Sequence, residues 1–215
     1  MITQTQESQQ SLTPDAVLQI LKDGNLRFMN NLKANRNLLR QVNETSDGQF
    51  PFAAILSCID SRTSAELIFD KGLGDIFSIR IAGNILNEDI LGSMEFACKV
   101  AGSKLILVLG HTRCGAIVGA CNNVEMGNLT TLLNKIQPAI NRETQTTTNR
   151  NGENEAFVEN VTEINVHFTM ARIREQSRIL YEMEQQGSIK IVGGMYDVET
   201  GKVIFYEDPA SQATK

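Results

Sequence analysis

The sequence predicts an α/β fold with a mostly parallel central sheet flanked by helices. Short, continuous apolar runs at 52–56 and 105–109 are typical of strands buried on both faces. Longer segments with a helical spacing of apolar residues separate these runs. Since strands that alternate with helices favour parallel pairing through right-handed crossovers, we expect a strand order of about 2-1-3-4, with an antiparallel strand added at the edge.

The segments before the first strand are predicted to form a tail and a helical arm. Residues 1–12 are rich in Gln and have no apolar period, so they are predicted to be a disordered tail. Thr13-Pro14-Asp15 provides an N-cap, a first-turn proline and an acid for a helix that reaches about residue 31. A polar, irregular stretch follows. We therefore expect a single domain over 13–215, with an arm at 13–50 and an α/β core at 51–206.

The core elements follow in regular alternation. A second strand is predicted at 76–79, and a fourth at 189–196, which a Glu-Thr-Gly turn joins to the edge strand. The polar tract at 141–155 is predicted to be an exposed loop. The predicted helices of the core cover 63–70, 87–101, 114–121, 128–141 and 156–186.

Composition excludes several classes of partner. The chain has 215 residues, a net charge of −5 and 41% hydrophobic residues, as in soluble globular proteins. The acidic balance argues against nucleic acid or an anionic membrane as the main partner. No apolar stretch approaches the roughly 20 residues of a membrane span. The first residues lack the pattern of a secretory signal, and the four cysteines are expected to be reduced, so a cytoplasmic location is predicted.

Two short segments carry the chemistry. Cys58 follows strand 1, and His111 and Cys114 follow strand 3. In the predicted order these strands are neighbours at the switch point of the sheet, where ligands bind beyond the carboxyl ends of strands. Two thiols and an imidazole suit zinc, and three protein ligands leave the fourth position open for a water. The sequence therefore predicts a catalytic zinc site.

Asp60 and Arg62 lie beside the first zinc ligand. Two thiolates offset the charge of zinc, so a second group is needed to favour hydroxide. Asp60 can accept a hydrogen bond from the zinc-bound hydroxide, and Arg62 can keep the carboxylate ionised. A purely structural salt bridge is the alternative. If the pair breaks, Asp60 can bind the metal itself and close the site.

At these positions the chain resembles the β-class carbonic anhydrases. The Cys-x-Asp-x-Arg pattern of that family stands at 58–62, and its His-x-x-Cys pattern at 111–114. The resemblance continues at 24–28, 80–84 and 196–201, and it extends over roughly residues 13–206. It is highly specific because the motifs and their spacing match together.

The resemblance implies an activity and a site. Cys58, His111 and Cys114 would bind one zinc ion, and Asp60 and Arg62 would form the catalytic dyad. The family reaction is the reversible hydration of carbon dioxide to bicarbonate and a proton. Members of the family are dimers or higher assemblies, so a homodimer or tetramer is expected.

The resemblance also implies a subtype. Plant-like members have a Gln nine residues before the first Cys, where this chain has Gln49. That Gln would donate a hydrogen bond to the substrate from the neighbouring protomer, although an ordinary loop Gln is the alternative. Bicarbonate-regulated members have a Trp three residues before the same Cys, where this chain has Ile55 and no Trp anywhere. The plant-like, open-site form is therefore expected.

The remaining candidate residues concern the substrate pocket. Phe77, Ala82 and Phe96 match positions that line the apolar carbon dioxide pocket of the family, although plain core packing explains them equally well. Gly115, directly after Cys114, would let the backbone approach the substrate closely.

Two other functions remain open. The same fold can direct its hydroxide at carbon disulfide or carbonyl sulfide, which are also small linear molecules. A non-catalytic, zinc-stabilised module that binds bicarbonate or a protein is the third possibility. That module predicts a closed site with Asp60 on the metal, whereas catalysis predicts an intact Asp60–Arg62 pair.

Overall fold

A computed structural model describes residues 3–206, which fold around a five-stranded sheet. The strand order is β2-β1-β3-β4-β5; the first four strands are parallel, and β5 is antiparallel to β4. The predicted fold class, strand order and antiparallel edge are confirmed. The strands are β1 Ala53–Ser57, β2 Ile76–Arg80, β3 Leu105–His111, β4 Lys190–Tyr196 and β5 Val203–Tyr206.

Helices cover both faces of the sheet. A 3-10 turn at Ala82–Asn84 follows β2, and a π-helical turn at Phe96–Val100 extends α5. The helices are α1 Gln6–Ser11, α2 Pro14–Met29, α3 Leu38–Glu44, α4 Ala65–Ile68, α5 Glu88–Glu95, α6 Gly115–Cys121, α7 Gly127–Leu133, α8 Gln137–Arg142, α9 Glu155–Gln176 and α10 Arg178–Gln185. No helix within the described part of the chain is long and apolar enough to cross a membrane.

The two central strands explain why their sequences are apolar without interruption. Every residue of β1 and β3 is buried, because helices pack against both faces. One face packs against α2 and α4, through residues such as Leu21 and Phe69. The other packs against α5 and α9, through residues such as Met94 and Val166.

The register of β1 and β3 places two of the predicted metal ligands, Cys58 and His111, side by side. Ser57, the last residue of β1, pairs with Leu109 of β3. Cys58 follows Ser57 directly, while β3 continues for two further residues and ends at His111. The carboxyl ends of the two strands therefore bring Cys58 and His111 to the same edge of the sheet.

The predicted disordered tail is wrong for the residues of 1–12 that the structure describes. Residues 6–11 form α1, which begins with a reciprocal capping box between Thr5 and Ser8. The buried amide of Gln9 donates to the carbonyls of Pro51 (2.7 Å) and Ala101 (2.8 Å). Polar contacts fix this helix, so the absence of an apolar period misled the prediction.

Three other predicted elements differ from the structure. The irregular stretch before the core contains α3, which Asn37 caps. The helix predicted over 128–141 is interrupted before α8, which has Pro138 in its first turn. The long helix predicted over 156–186 ends at Gln176, where Ser177 becomes the N-cap of α10 and accepts from the Leu180 amide.

The polar tract at 141–155 is only partly the exposed loop that was predicted. The side chain of Glu143 is 0% exposed and forms a salt bridge with Arg150. The backbone amides of Gln145 and Thr146 also donate to its carboxylate. A buried, fully hydrogen-bonded carboxylate therefore organises this loop.

Candidate metal centre

Three side chains converge at the carboxyl edge of the sheet. The ligand atoms of Cys58, His111 and Cys114 all lie within 4.8 Å of one another, and all three residues are buried. Cys58 follows β1, His111 ends β3, and Cys114 is the N-cap of α6. The three predicted ligands therefore come from different elements of the fold and lie close together.

The imidazole of His111 has the hydrogen-bond pattern of a metal ligand. Its Nδ1 lies 2.9 Å from the carbonyl oxygen of Thr112. Because a carbonyl only accepts, Nδ1 carries the proton and Nε2 keeps a free lone pair. Nε2 is buried and has no hydrogen-bond partner in the described structure. A buried, unpartnered acceptor that a second bond orients in this way fits a metal.

The two cysteine sulfurs lie within hydrogen-bond distance of each other. The Cys114 thiol donates to Cys58 Sγ at 3.9 Å, and the Gly83 amide donates to the same sulfur at 3.4 Å. The bond from Cys114 is the main cause that lowers the pKa of Cys58 to about 4, against the effect of burial. The same bond, together with burial, raises the pKa of Cys114.

This donor set fits zinc. Zinc binds thiolates and neutral imidazoles at tetrahedral centres, and its charge favours the deprotonated form of both cysteines. With Cys58, His111 and Cys114 as ligands, one position remains that these three residues do not fill.

Asp60 and Arg62 form the predicted pair. Arg62 donates from Nη2 to Asp60 Oδ2 at 2.8 Å and from Nε to Oδ1 at 2.9 Å, and its own backbone amide donates to Oδ1 at 3.0 Å. These bonds hold the pKa of the Asp60 carboxyl well below its usual range, although partial burial opposes them. Asp60 is not one of the residues in the three-ligand cluster. The Asp60 carboxylate is therefore bonded to Arg62 and is not a fourth member of the ligand cluster.

Two residues that sequence reasoning did not assign to the site hold the loop between these groups. Arg80 donates from Nε to the Cys58 carbonyl at 3.0 Å and from Nη2 to the Asp60 carbonyl at 2.6 Å. The Thr63 hydroxyl lies 3.1 Å and 2.9 Å from the same two oxygens. By the resemblance, Arg80 matches an arginine of the family's bicarbonate-regulatory site that occurs in both subtypes, which predicts no contact with this loop. Thr63 gave no signal, because such contacts depend on the turn conformation.

A further support reaches Cys58 from α9. Gly83 adopts φ 67°, and a Cβ built there would lie 2.9 Å from Ile136 Cδ1, so this position requires glycine. The buried Asn165 donates its side-chain amide to the Gly83 carbonyl at 2.9 Å. This bond anchors Gly83 from its carbonyl side, while the amide on its other side donates to the Cys58 sulfur.

The predicted pocket residues are not all beside the metal ligands within one chain. The rings of Phe77 and Phe96 meet edge to face at 6.3 Å and line an open depression. The residues that line this depression include none of the three metal ligands. Ala82 is half-buried in the 3-10 turn, and Gly115 is exposed at the start of α6, with open space where its side chain would be.

Gln49 lies at the other end of the sheet from the ligands. It precedes β1, whereas Cys58 follows that strand. Five extended residues span about 17 Å. Gln49 is exposed and lines a cavity together with residues of α1, including Gln9. It therefore does not join the metal centre of its own chain.

Comparison with known proteins identifies the family and agrees with the fold. The family model described as "Carbonic anhydrase" matches residues 53–203. The chain is similar to carbonic anhydrase 2 of Mycobacterium tuberculosis, with 33% identity over 89% of this chain and 92% of the relative.

Two sets of solved structures share the fold. One is the β-carbonic anhydrase CafA of Aspergillus fumigatus, with a TM-score of 0.69, 22% identity and coverage of 92% of this chain and 93% of that one. The other comes from two tetrameric β-carbonic anhydrases of Sordaria macrospora, with a TM-score of 0.65, 20% identity and coverage of 77% and 89%.

A Cys-His-Cys cluster at the switch point of an α/β sheet fits a catalytic zinc centre, in which three protein ligands leave the fourth position for a water. The chain belongs to the β-class carbonic anhydrases, which use zinc to interconvert carbon dioxide and bicarbonate.

Proposed function

We propose that Cys58, His111 and Cys114 hold the zinc ion on which this chain hydrates carbon dioxide, and that Asp60 and Arg62 are its catalytic pair. The buried Nε2 of His111 carries the first part of the proposal, because it has no hydrogen-bond partner in the described structure and lies within 4.8 Å of both cysteine sulfurs, as a metal ligand would. Zinc, when bound, supplies a Lewis acid that makes a water nucleophilic near neutral pH.

The chain's own residues then have separate tasks. The two cysteines donate negative charge, which weakens the acidity of the metal and makes a further group necessary. The Asp60 carboxylate stays ionised because Arg62 donates to both of its oxygens. It can therefore accept a hydrogen bond from the attacking water. That bond would orient the water so that a lone pair of the water oxygen faces the substrate carbon. Arg62 acts by holding that carboxylate.

The position of Asp60 favours the open form of the site. A non-catalytic, closed module requires this carboxylate on the metal, whereas here both of its oxygens accept from Arg62. Ile55 at the position of the regulatory Trp supports the same choice. We therefore propose the plant-like subtype. No observation favours carbon disulfide or carbonyl sulfide as the substrate.

We also propose a homo-oligomer in which Gln49 serves the metal centre of a second copy. Gln49 lies at the far end of the sheet from its own centre. Exposed apolar side chains occur along α2–α4, and three of them, Leu32, Leu38 and Leu67, line one depression, as is typical of an interface. The exposed apolar residues of this region are Leu26, Met29, Leu32, Leu38, Leu39, Val42 and Leu67. The Sordaria structures that share this fold are tetrameric.

The pocket residues fit the same proposal. Phe77 and Phe96 present an apolar surface, and the Phe96 side chain is 52% exposed in the single chain. A second copy would cover these rings and form an apolar carbon dioxide pocket, with Ala82 and Gly115 on the side of the metal ligands. The four free cysteines of the described chain support a cytoplasmic location.

Stopped-flow hydration of carbon dioxide tests the activity. The zinc-loaded protein should accelerate hydration at about pH 8, and a chelator should abolish the acceleration. Absence of a metal-dependent rate would contradict the proposal.

Complementation tests whether Gln49 acts between chains. Gln49→Ala and Asp60→Asn should each lower the hydration rate. When the two variants are coexpressed, about half of the randomly formed dimers are mixed, and one site of each mixed dimer has both native residues. About a quarter of all sites should therefore be active. The restored site combines Asp60 of one chain with Gln49 of the other. If mixed dimers form and no activity returns, Gln49 does not act across an interface.

A further inference from the structure

Lys71 is a buried amine in the loop that joins α4 to β2. The residue is 9% exposed, and its ammonium nitrogen lies 5.7 Å from the centre of the buried Phe52 ring. Among residues 3–206 this nitrogen forms no hydrogen bond and no salt bridge. Because lysines are almost never buried unless they are paired, the environment of this amine is unusual.

The side chain of Lys71 reaches the depression that Leu32, Leu38 and Leu67 line. The depression has a volume of about 400 Å³, far more than one water needs. The Phe28 ring adds to its apolar surface. Carbon dioxide is a small, apolar molecule, so it can reach the amine through this depression.

Two guanidinium groups lie near the amine. Arg27 of α2 donates from Nε to Asp70 Oδ2 at 2.5 Å, and Arg36, which precedes α3, pairs with the other oxygen of the same carboxylate. The other charged residues that line the depression are Lys33 and Glu66. Asp70 directly precedes Lys71, so the carboxylate that holds both arginines also keeps them close to the amine.

These surroundings favour the neutral form of the amine. Burial is the main cause that lowers the pKa of Lys71 to about 8; repulsion from Arg27 and Arg36 adds to it, whereas Asp75 and Asp70 oppose it. An amine with that pKa is about one-quarter neutral at about pH 7.5, compared with about 0.1% for an ordinary lysine. Because only the neutral form has a lone pair, Lys71 is nucleophilic near neutral pH.

We propose that Lys71 reacts reversibly with carbon dioxide to form a carbamate. The lone pair of Nζ attacks the carbon, an N–C bond forms, and one π pair of a C=O bond moves to its oxygen. The nitrogen then releases a proton to solvent, so no further reactant is needed. The reaction requires dissolved carbon dioxide but not the metal centre.

The charges around Lys71 suit the product. Arg27 and Arg36, which repel the ammonium, attract the carbamate anion. Burial raises the pKa of the Asp75 carboxyl, so protonation of this group can offset the added negative charge. The charge at Lys71 therefore depends on the concentration of carbon dioxide.

Trapping of the carbamate tests the proposal. The full-length, zinc-loaded protein is equilibrated with ¹³C-labelled bicarbonate at about pH 7.5, treated with triethyloxonium, which ethylates carbamates, and digested for peptide mass spectrometry. Labelling at Lys71 should exceed that at Lys33, an exposed lysine of the same depression, by about tenfold or more. At about pH 6 and the same dissolved carbon dioxide, Lys71 should lose its label, because an ammonium does not react.

Carbon NMR of the same sample provides a second readout. The terminal α-amine can give one carbamate resonance, and Lys71 should add another. Lys71→Arg, which keeps a positive charge on a group that stays protonated, should lose the second resonance, whereas the control Lys33→Arg should keep it.

Two results would overturn the proposal. One is wild-type labelling at Lys71 within about twofold of that at Lys33. The other is a second resonance that persists in a folded Lys71→Arg. Neither readout measures hydration, so failure of this inference is distinguishable from failure of the proposed function.

Discussion

The two ends of the central sheet use buried polar groups in opposite ways. At the amino end, the amide of Gln9 and the hydroxyl of Ser103 both donate to the Pro51 carbonyl. At the carboxyl end, the buried Nε2 of His111 has no hydrogen-bond partner in the described structure, and two thiols lie 3.9 Å apart. The same strands carry both ends. The contacts at the amino end stabilise the fold, whereas a buried imidazole nitrogen without a partner beside two thiols fits a metal.

The largest expected effect is loss of the metal at the carboxyl end. Cys58→Ala should lose tight zinc binding and lower the hydration rate by more than about 1,000-fold, because a two-ligand centre binds zinc poorly. Zinc content by atomic emission and stopped-flow assays measure both. Cys98→Ala is the control: this buried thiol lies outside the cluster, so the variant should keep its zinc. Full zinc content in Cys58→Ala would contradict the assigned ligand set.

The next effect should separate chemistry from metal binding. Asp60→Asn should lower kcat by about 100-fold with zinc content unchanged, because it removes the carboxylate that accepts from Arg62 and from the attacking water. Asp23→Asn, an exposed residue on α2, should behave as wild type. If Asp60→Asn keeps its full rate, the pair is a structural salt bridge only.

A smaller effect is expected from the support behind the ligands. Asn165→Leu removes the bond to the carbonyl of Gly83, the residue whose amide contacts the Cys58 sulfur. Zinc affinity should fall by about tenfold, as is usual for a residue that orients a ligand. Competition with a chromophoric chelator measures this. Asn43→Leu, on the exposed surface of α3, is the control, and equal affinities would remove Asn165 from the centre.

The amino end should respond in stability alone. Gln9→Ala removes a donor from two carbonyls and should lower the free energy of unfolding by about 1–3 kcal/mol, with zinc content unchanged. Urea unfolding compares it with Gln10→Ala, whose side chain is exposed. Loss of zinc in Gln9→Ala would show that the two ends are coupled.

The same contrast explains what the sequence could predict. The apolar runs of β1 and β3 were informative because both faces are buried, and Cys58, His111 and Cys114 were found because parallel strands align the residues that follow them. The helix α1 was missed because capping and the Gln9 amide hold it, with no apolar stripe.

Polar contacts between residues far apart in the chain could not be predicted either. The bonds from Arg80 to the loop after β1 depend on the parallel register of β2, which no local pattern contains. The bond from Asn165 joins groups 82 positions apart in the chain. Such supports become visible only when the strands and helices are placed together.

Reconstitution with zinc tests the central claim most directly. The protein is stripped with a chelator, zinc is added back in known amounts, and carbon dioxide hydration is followed by stopped flow. The rate should be negligible without metal, rise in proportion to zinc and level off at one ion per chain, in step with protection of Cys58 and Cys114 from a thiol reagent. A hydration rate that does not depend on zinc, or zinc uptake that leaves both thiols reactive, would contradict the account.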